Sequence, residues 1–236
     1  HPMTENDEIL AIPLWINGHA YLTMTPTFFD VRDRCTGQIK RRTPLCGTDQ
    51  ALTAVASAQA ALPAWAALTI AARATLLAAL AAALAAYAEH FANLIAEETG
   101  KNAASASAEV EQALRVLKAA ATGSVATGGS GVVAVVCDDQ APLLGPLRLA
   151  VQALLAGATV VVKPSPKAPS AAFALAELTA RNGFPGGVVN ILHGDLAAIE
   201  GLCTSSAVGL LLFTGDPALG SKVAAIASRH GKPFVD

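Results

Sequence analysis

The sequence predicts an α/β fold, a doubly wound parallel sheet preceded by an N-terminal β-hairpin and a helical segment. Three observations predict it. Short apolar stretches near the N-terminus flank an Asn-Gly pair, the apolar period lengthens from two to about 3.6 after Thr48, and beyond residue 130 four continuous apolar runs each precede a helical stretch.

The elements follow in chain order. His1-Pro2-Met3 reads as a tag remnant, with the natural start at Met3. Leu14-Trp15-Ile16 and Ala20–Met24 flank Asn17-Gly18, a dipeptide suited to the positive φ angles of a tight hairpin turn. Phe28-Phe29-Asp30-Val31 is a third extended segment. A helix starts near Asp49, and Pro63 is expected to end or restart it. Residues 70–99 read as one helix with a stripe of Leu80, Leu84, Tyr87, Phe91, Leu94 and Ile95. Arg73, Glu89, Glu97 and Glu98 fall mainly off that stripe, and Gly100 supplies the stop. A further helix covers 104–121. Residues 122–130 have the Gly/Ser/Thr composition of a flexible linker, so the boundary falls there, between a hairpin-and-helix unit at 4–121 and a sheet unit at 131–236, packed together as one.

In the second unit the runs are 131–136, 158–162, 188–192 and 208–213, each followed by a helix, at 143–156, 168–182, 195–203 and 217–230. Continuous rather than alternating apolar strands indicate a parallel sheet covered on both faces. Right-handed crossovers then give a Rossmann-like layer, whose ligands bind at the carboxyl ends of the strands.

Composition bounds the function. Of the 236 residues 53% are apolar and only 14% charged, which excludes a disordered chain. A net charge of −2 without a basic block argues against nucleic acid as a partner. Alanine, 52 residues or 22%, implies closely apposed helices. The uncharged run Ala51–Ala72 contains Ser57, Gln59, Pro63 and Thr69, and Ala119–Cys137 is broken by four glycines. Neither resembles a span of about 20 strongly apolar residues, so no membrane partner is expected. No signal peptide is visible. Cys35, Cys46, Cys137 and Cys203 lack Cys-x-x-Cys spacing, and His19, His90, His193 and His230 are isolated. That pattern suits free thiols in the cytoplasm rather than a metal centre.

Specific words in the sequence resemble the aldehyde dehydrogenase superfamily. Val160-Val161-Val162-Lys163-Pro164-Ser165 resembles its second-strand signature, and Gly183-Phe184-Pro185-Gly186-Gly187-Val188-Val189-Asn190 through Gly194 the next. Phe213-Thr214-Gly215, closed by Gly220, resembles its cofactor-loop signature. Trp15-Ile16-Asn17-Gly18, Thr36-Gly37, Trp65 and Glu98-Thr99-Gly100-Lys101 look like the same family's N-terminal segment. The resemblance implies a dinucleotide-binding half, with Lys163, Ser165, Lys167, Gly187, Phe213, Thr214, Gly215, Asp216 and Gly220 as cofactor-binding positions.

Departures from the pattern shape the expected activity. The family's catalytic cysteine and general-base glutamate fall beyond Asp236, so no catalytic residue is expected here. The loop after the first parallel strand, usually Pro-Trp-Asn-Phe-Pro, reads Asp138-Asp139-Gln140-Ala141-Pro142, with Gln140 at the oxyanion asparagine's position. The stretch from Glu109 to Gly131, part of the family's subunit-joining arm, is short. In the family the lysine at Lys163 contacts the adenosine ribose. Lys163 with Lys167 and no strand-end acid leans towards NADP over NAD. Asp216 replaces a serine. Followed by Pro217 it reads as an N-cap whose carboxylate fills the anion site and repels a pyrophosphate by an amount on the order of 1 kcal/mol. Cys137, beside Asp138 and Asp139, reads as a buried inert thiol, and the two aspartates as a solvated turn.

Two functions remain open. One is a non-catalytic or vestigial dinucleotide-binding or interaction module. The other is the cofactor half of an NAD(P)-dependent enzyme that oxidises an aldehyde to an acid. NADP or NAD is expected to bind no tighter than roughly 100 μM. A protein partner is expected on the face that the catalytic half would cover, and the chain is expected to be a monomer or weak dimer without the family's arm.

Overall fold

The computed structural model describes residues 9–123 and 131–236. The expected tag remnant at 1–3 and positions 124–130 of the expected linker lie outside the described residues. Asn17 and Gly18 both take positive φ, 55° and 76°, as a two-residue hairpin turn requires. The turn joins β1 (Leu14–Ile16) to an exposed antiparallel β2 (His19–Tyr21). The expected third segment is β3 (Phe28–Arg32). Its partner, β4 (Ile39–Pro44), was not anticipated, because Lys40, Arg41 and Arg42 hide any apolar pattern. These two strands form a small separate sheet.

Four helices follow: α1 (Thr48–Ala67), α2 (Ile70–Ala86), α3 (Ala88–Thr99) and α4 (Ala103–Ala120). Thr69 and Asn102 cap α2 and α4, accepting the backbone N–H groups of Ala72 and Ser105. Pro63 neither ends nor restarts α1 but lies inside it. It is exposed, as is Gln59, whose carbonyl loses its helical partner to the proline and is free to meet water. The single helix expected over 70–99 is two. Tyr87 leaves the helical region at φ −109° and ψ 19°, and its side chain is exposed rather than part of the stripe. The pieces share α4 and α6 and differ beyond them: α2 also meets α5, whereas α3 also meets β3.

Arg73 and Glu98, expected off the stripe, are buried. Arg73 donates to the carbonyls of Leu68, Trp65 and Leu155, so one guanidinium caps the end of α1 and ties it to the sheet unit. Trp65 Nε1 reaches the Leu154 carbonyl at 3.0 Å.

The sheet unit runs β5 (Val132–Cys137), α5 (Leu144–Leu155), β6 (Thr159–Lys163), α6 (Ser170–Arg181), β7 (Val189–Ile191), α7 (Leu196–Thr204), β8 (Val208–Thr214), α8 (Pro217–Arg229) and β9 (Phe234–Val235). The strand order is β2-β1-β7-β6-β5-β8-β9. Strands β5 to β9 pair in parallel, and the hairpin adds an antiparallel edge through Trp15 opposite Ile191. All three residues of β1 are buried, the pattern of a strand covered on both faces, which is why it sits inside the sheet and β2 outside. Residues of β5 alternate between two cores. Val133 and Val135 join α2, α4, α5 and α6, while Val132, Ala134 and Val136 join α1, α7 and α8. Helices on both faces make the sheet doubly wound, and the order reverses at β5, between β6 and β8.

Candidate functional site

At that reversal the chain leaves β5 and β8 in opposite directions, and a cleft of about 230 Å³ opens at the carboxyl ends of the parallel strands. Each polar wall residue comes from a strand end or the loop after it. Cys137 and Asp138 follow from β5, Lys163 and Ser165 from β6, Asp195 from the β7 loop and Asp216 from the β8 loop. Asp139 and Lys167 complete the polar lining, so four carboxylates face two ammonium groups. Asp195 went unremarked in the sequence. Its signal was its place, directly after Gly194 at a strand end.

Two buried glutamates of the helical unit hold the rim. Glu109 accepts the N–H groups of Leu143 and Leu144 at 2.9 and 3.1 Å and pairs with Lys101 at 2.6 Å, capping α5. Glu98 accepts the N–H and hydroxyl of Ser170 at 3.0 and 2.6 Å and also meets Arg41, capping α6. Burial raises the Glu98 pKa, against the hydrogen bonds from Ser170 and the Arg41 charge, which lower it.

Asp138 is not a solvated turn residue. Its Oδ2 accepts the Asp216 N–H at 2.7 Å and its Oδ1 the Gln140 N–H at 3.0 Å. Gly215 makes this approach possible. At φ 146°, a Cβ there would stand 2.4 Å from the Asp138 carboxyl carbon. Asp138 therefore takes an N–H at the start of α8, where an anion would otherwise dock. Asp216 acts as the N-cap, accepting the Ala218 N–H at 3.3 Å with Pro217 behind it. Asp139 pairs with Arg34 at 3.6 Å, so the adjacent aspartates take different partners.

Lys163 lines the cleft but is only 2% exposed. Its Nζ donates to the Pro164 and Gly194 carbonyls at 2.5 and 2.8 Å. Burial pushes its pKa down to about 8, against the charges of Cys137 and Asp195. Burial pushes the Cys137 thiol up to about 12. Lys163 opposes that shift and Asp138 adds to it, so desolvation rather than the neighbouring aspartates is the main cause.

The other expected positions separate. Ser165 is buried at the cleft, its Oγ accepting the Lys167 N–H at 3.2 Å, while Lys167 is exposed. Gln140 is exposed on the rim loop. Thr214 binds that loop through its carbonyl, which accepts the Asp138 N–H at 3.3 Å. Phe213 is in the core, stacked on Phe234, with Gly220 close against its ring. Gly187 lies away from the cleft, before β7 at the opposite end of that strand. A Cβ on it would meet the Ser57 carbonyl at 2.6 Å, so close packing on α1 accounts for the glycine. Among the described residues no group of three or more His, Cys, Asp or Glu is placed to hold a metal ion. Among them, too, no single helix is long and apolar enough to cross a membrane.

Comparison with known proteins agrees with this architecture. The sequence profile of the aldehyde dehydrogenase family matches residues 21–235. The chain is 26% identical over 245 residues to the acylating methylmalonate-semialdehyde/malonate-semialdehyde dehydrogenase, mitochondrial, of Homo sapiens, covering 96% of this chain and 46% of that one. Its fold superposes on lactaldehyde dehydrogenase from Escherichia coli with a TM-score of 0.88 and 25% identity, over 96% of this chain and 51% of the other. A putative methylmalonate-semialdehyde dehydrogenase from Sinorhizobium meliloti, crystallised with NAD, gives a TM-score of 0.89 at 22% identity, over 99% and 50%. The chain spans about half the length of the relatives it matches.

Proposed function

Because the chain belongs to the aldehyde dehydrogenase family, with residues 21–235 matching its profile, we propose that it is a non-catalytic module of that family whose dinucleotide cleft is filled by its own carboxylates. The observation that carries this reading is the Asp138 carboxylate under Gly215, accepting the Asp216 N–H at 2.7 Å. A pyrophosphate would have to displace it and face Asp139, Asp195 and Asp216 as well. Lys163, the expected ribose contact, spends two of its donors on main-chain carbonyls. The residues present thus fit a dinucleotide poorly. The thiol at the cleft, Cys137, is held protonated by burial and does not serve as a nucleophile. Free cysteines among the described residues suit a reducing compartment such as the cytoplasm.

A second reading is supported by the position of the cleft and by the shared fold with an NAD-bound relative. On that reading the chain is the cofactor half of an enzyme oxidising an aldehyde to an acid. Calorimetric titration with NADP and NAD separates the two. The proposal expects dissociation constants no tighter than roughly 100 μM, with NADP the better ligand through the exposed Lys167. Micromolar binding of either nucleotide would overturn it in favour of the second reading.

A further inference from the structure

We propose that Lys163 is a covalent capture site for short, uncharged aldehydes, its amine condensing with the carbonyl in the cleft to form an imine. The amine is buried at the end of β6, and its protein partners are two neutral carbonyls, those of Pro164 and Gly194. Among the described residues no carboxylate lies within ion-pair distance of it. An uncharged amine keeps both of these hydrogen bonds, because it has two N–H groups, and its lone pair takes the remaining tetrahedral position. The cleft beside it has room for a few heavy atoms, with Val136, Ile199 and Leu219 as apolar wall. The burial that lowers the Lys163 pKa to about 8 raises the fraction of nucleophilic amine near neutral pH.

The step balances without a redox partner. The nitrogen lone pair forms the C–N bond while the carbonyl π pair moves to oxygen, which gains the proton lost by nitrogen. The carbinolamine then expels that oxygen as water while nitrogen supplies the pair of the C=N bond. Aldehyde and amine give imine and water, with Asp195 or solvent carrying the proton. The four aspartates select against carbonyl compounds that bear their own carboxylate.

The inference rests on the reading that no dinucleotide fills the cleft. The experiment therefore omits nucleotide, so that tight nucleotide binding would overturn that reading without deciding this one. The full chain is incubated near neutral pH with cyanoborohydride and either propanal or glyoxylate, and labelled peptides are quantified by mass spectrometry. Lys163 should acquire a propyl group about tenfold faster or more than the exposed Lys40 and Lys222. Glyoxylate should show no such preference for Lys163. Propanal labelling of Lys163 no faster than that of Lys40 and Lys222 would overturn the proposal, as would glyoxylate labelling of Lys163 at the propanal rate.

Discussion

Replacing Asp138 by asparagine separates the two roles that the structure gives this side chain. Asp138→Asn keeps one oxygen, able to accept the Asp216 N–H now 2.7 Å from the carboxylate; it removes the charge and gives up the bond from the Gln140 N–H at 3.0 Å, whose residue is exposed to water. A phosphate oxygen reaching for the same N–H would come within about 4 Å of that charge, where two unit charges at an effective dielectric of ~20 repel by about 4 kcal/mol. Solvent at this partly exposed residue screens part of that. A gain of about 1.5–3 kcal/mol in NADP affinity, roughly 10- to 100-fold, should remain. The fold should move the other way. Losing a carboxylate from a helix N-terminus costs about 0.3–1 kcal/mol. For a chain of this size that lowers Tm by roughly 1–4 °C. Titration calorimetry and thermal unfolding of the same preparation test both signs. A folded Asp138→Asn protein with unchanged or weaker NADP affinity would refute the idea that Asp138 occupies the phosphate position.

Three further outcomes follow from other side chains. Lys163→Met should change the pH dependence of stability. The folded-state pKa of Lys163, about 8, lies below its ordinary 10.5, so its contribution is present above pH 10.5 and is lost as pH falls through 8. Denaturant titrations should show the unmodified chain gaining on the variant by on the order of 3 kcal/mol between those values, and parallel pH profiles would show the amine to be well solvated. Glu109→Ala leaves the Leu143 and Leu144 N–H groups and Lys101 without their carboxylate, and should cost about 2–4 kcal/mol, read as a lower urea midpoint at unchanged slope. Under native conditions Ellman's reagent should find Cys35, which is exposed, and react with Cys46, Cys137 and Cys203 only on unfolding. Fast native reaction at Cys137 would contradict its protonated burial.

The parallel strands were legible because a strand covered on both faces has to be apolar throughout, and Val132–Val136 and Val160–Val162 are. The hairpin was legible because Asn17-Gly18 answers a local backbone demand. The N-cap at Asp216 was legible for the same reason, since a cap and the proline after it act over two residues. The family motifs marked Lys163, Ser165, Lys167 and Asp216, which do share one cleft. They also marked Phe213, Gly187 and Gly220, whose surroundings are core packing.

Local pattern thus determined which segments are strands, helices and turns, because those preferences act between residues a few positions apart. Tertiary structure alone decided what Arg73, Glu98, Glu109 and Asp138 do. Arg73, Glu98 and Glu109 look like solvated helix faces in one dimension, yet each is buried against unpaired backbone groups that another element brings to it. Tyr87 breaks a continuous helical pattern; beyond the shared α4 and α6, the piece before it packs on α5 and the piece after it on β3. Asp138 reaches the turn after β8 from 78 positions away. Hydrogen-bond satisfaction of helix ends is a three-dimensional requirement, and its partners come from wherever the fold places them.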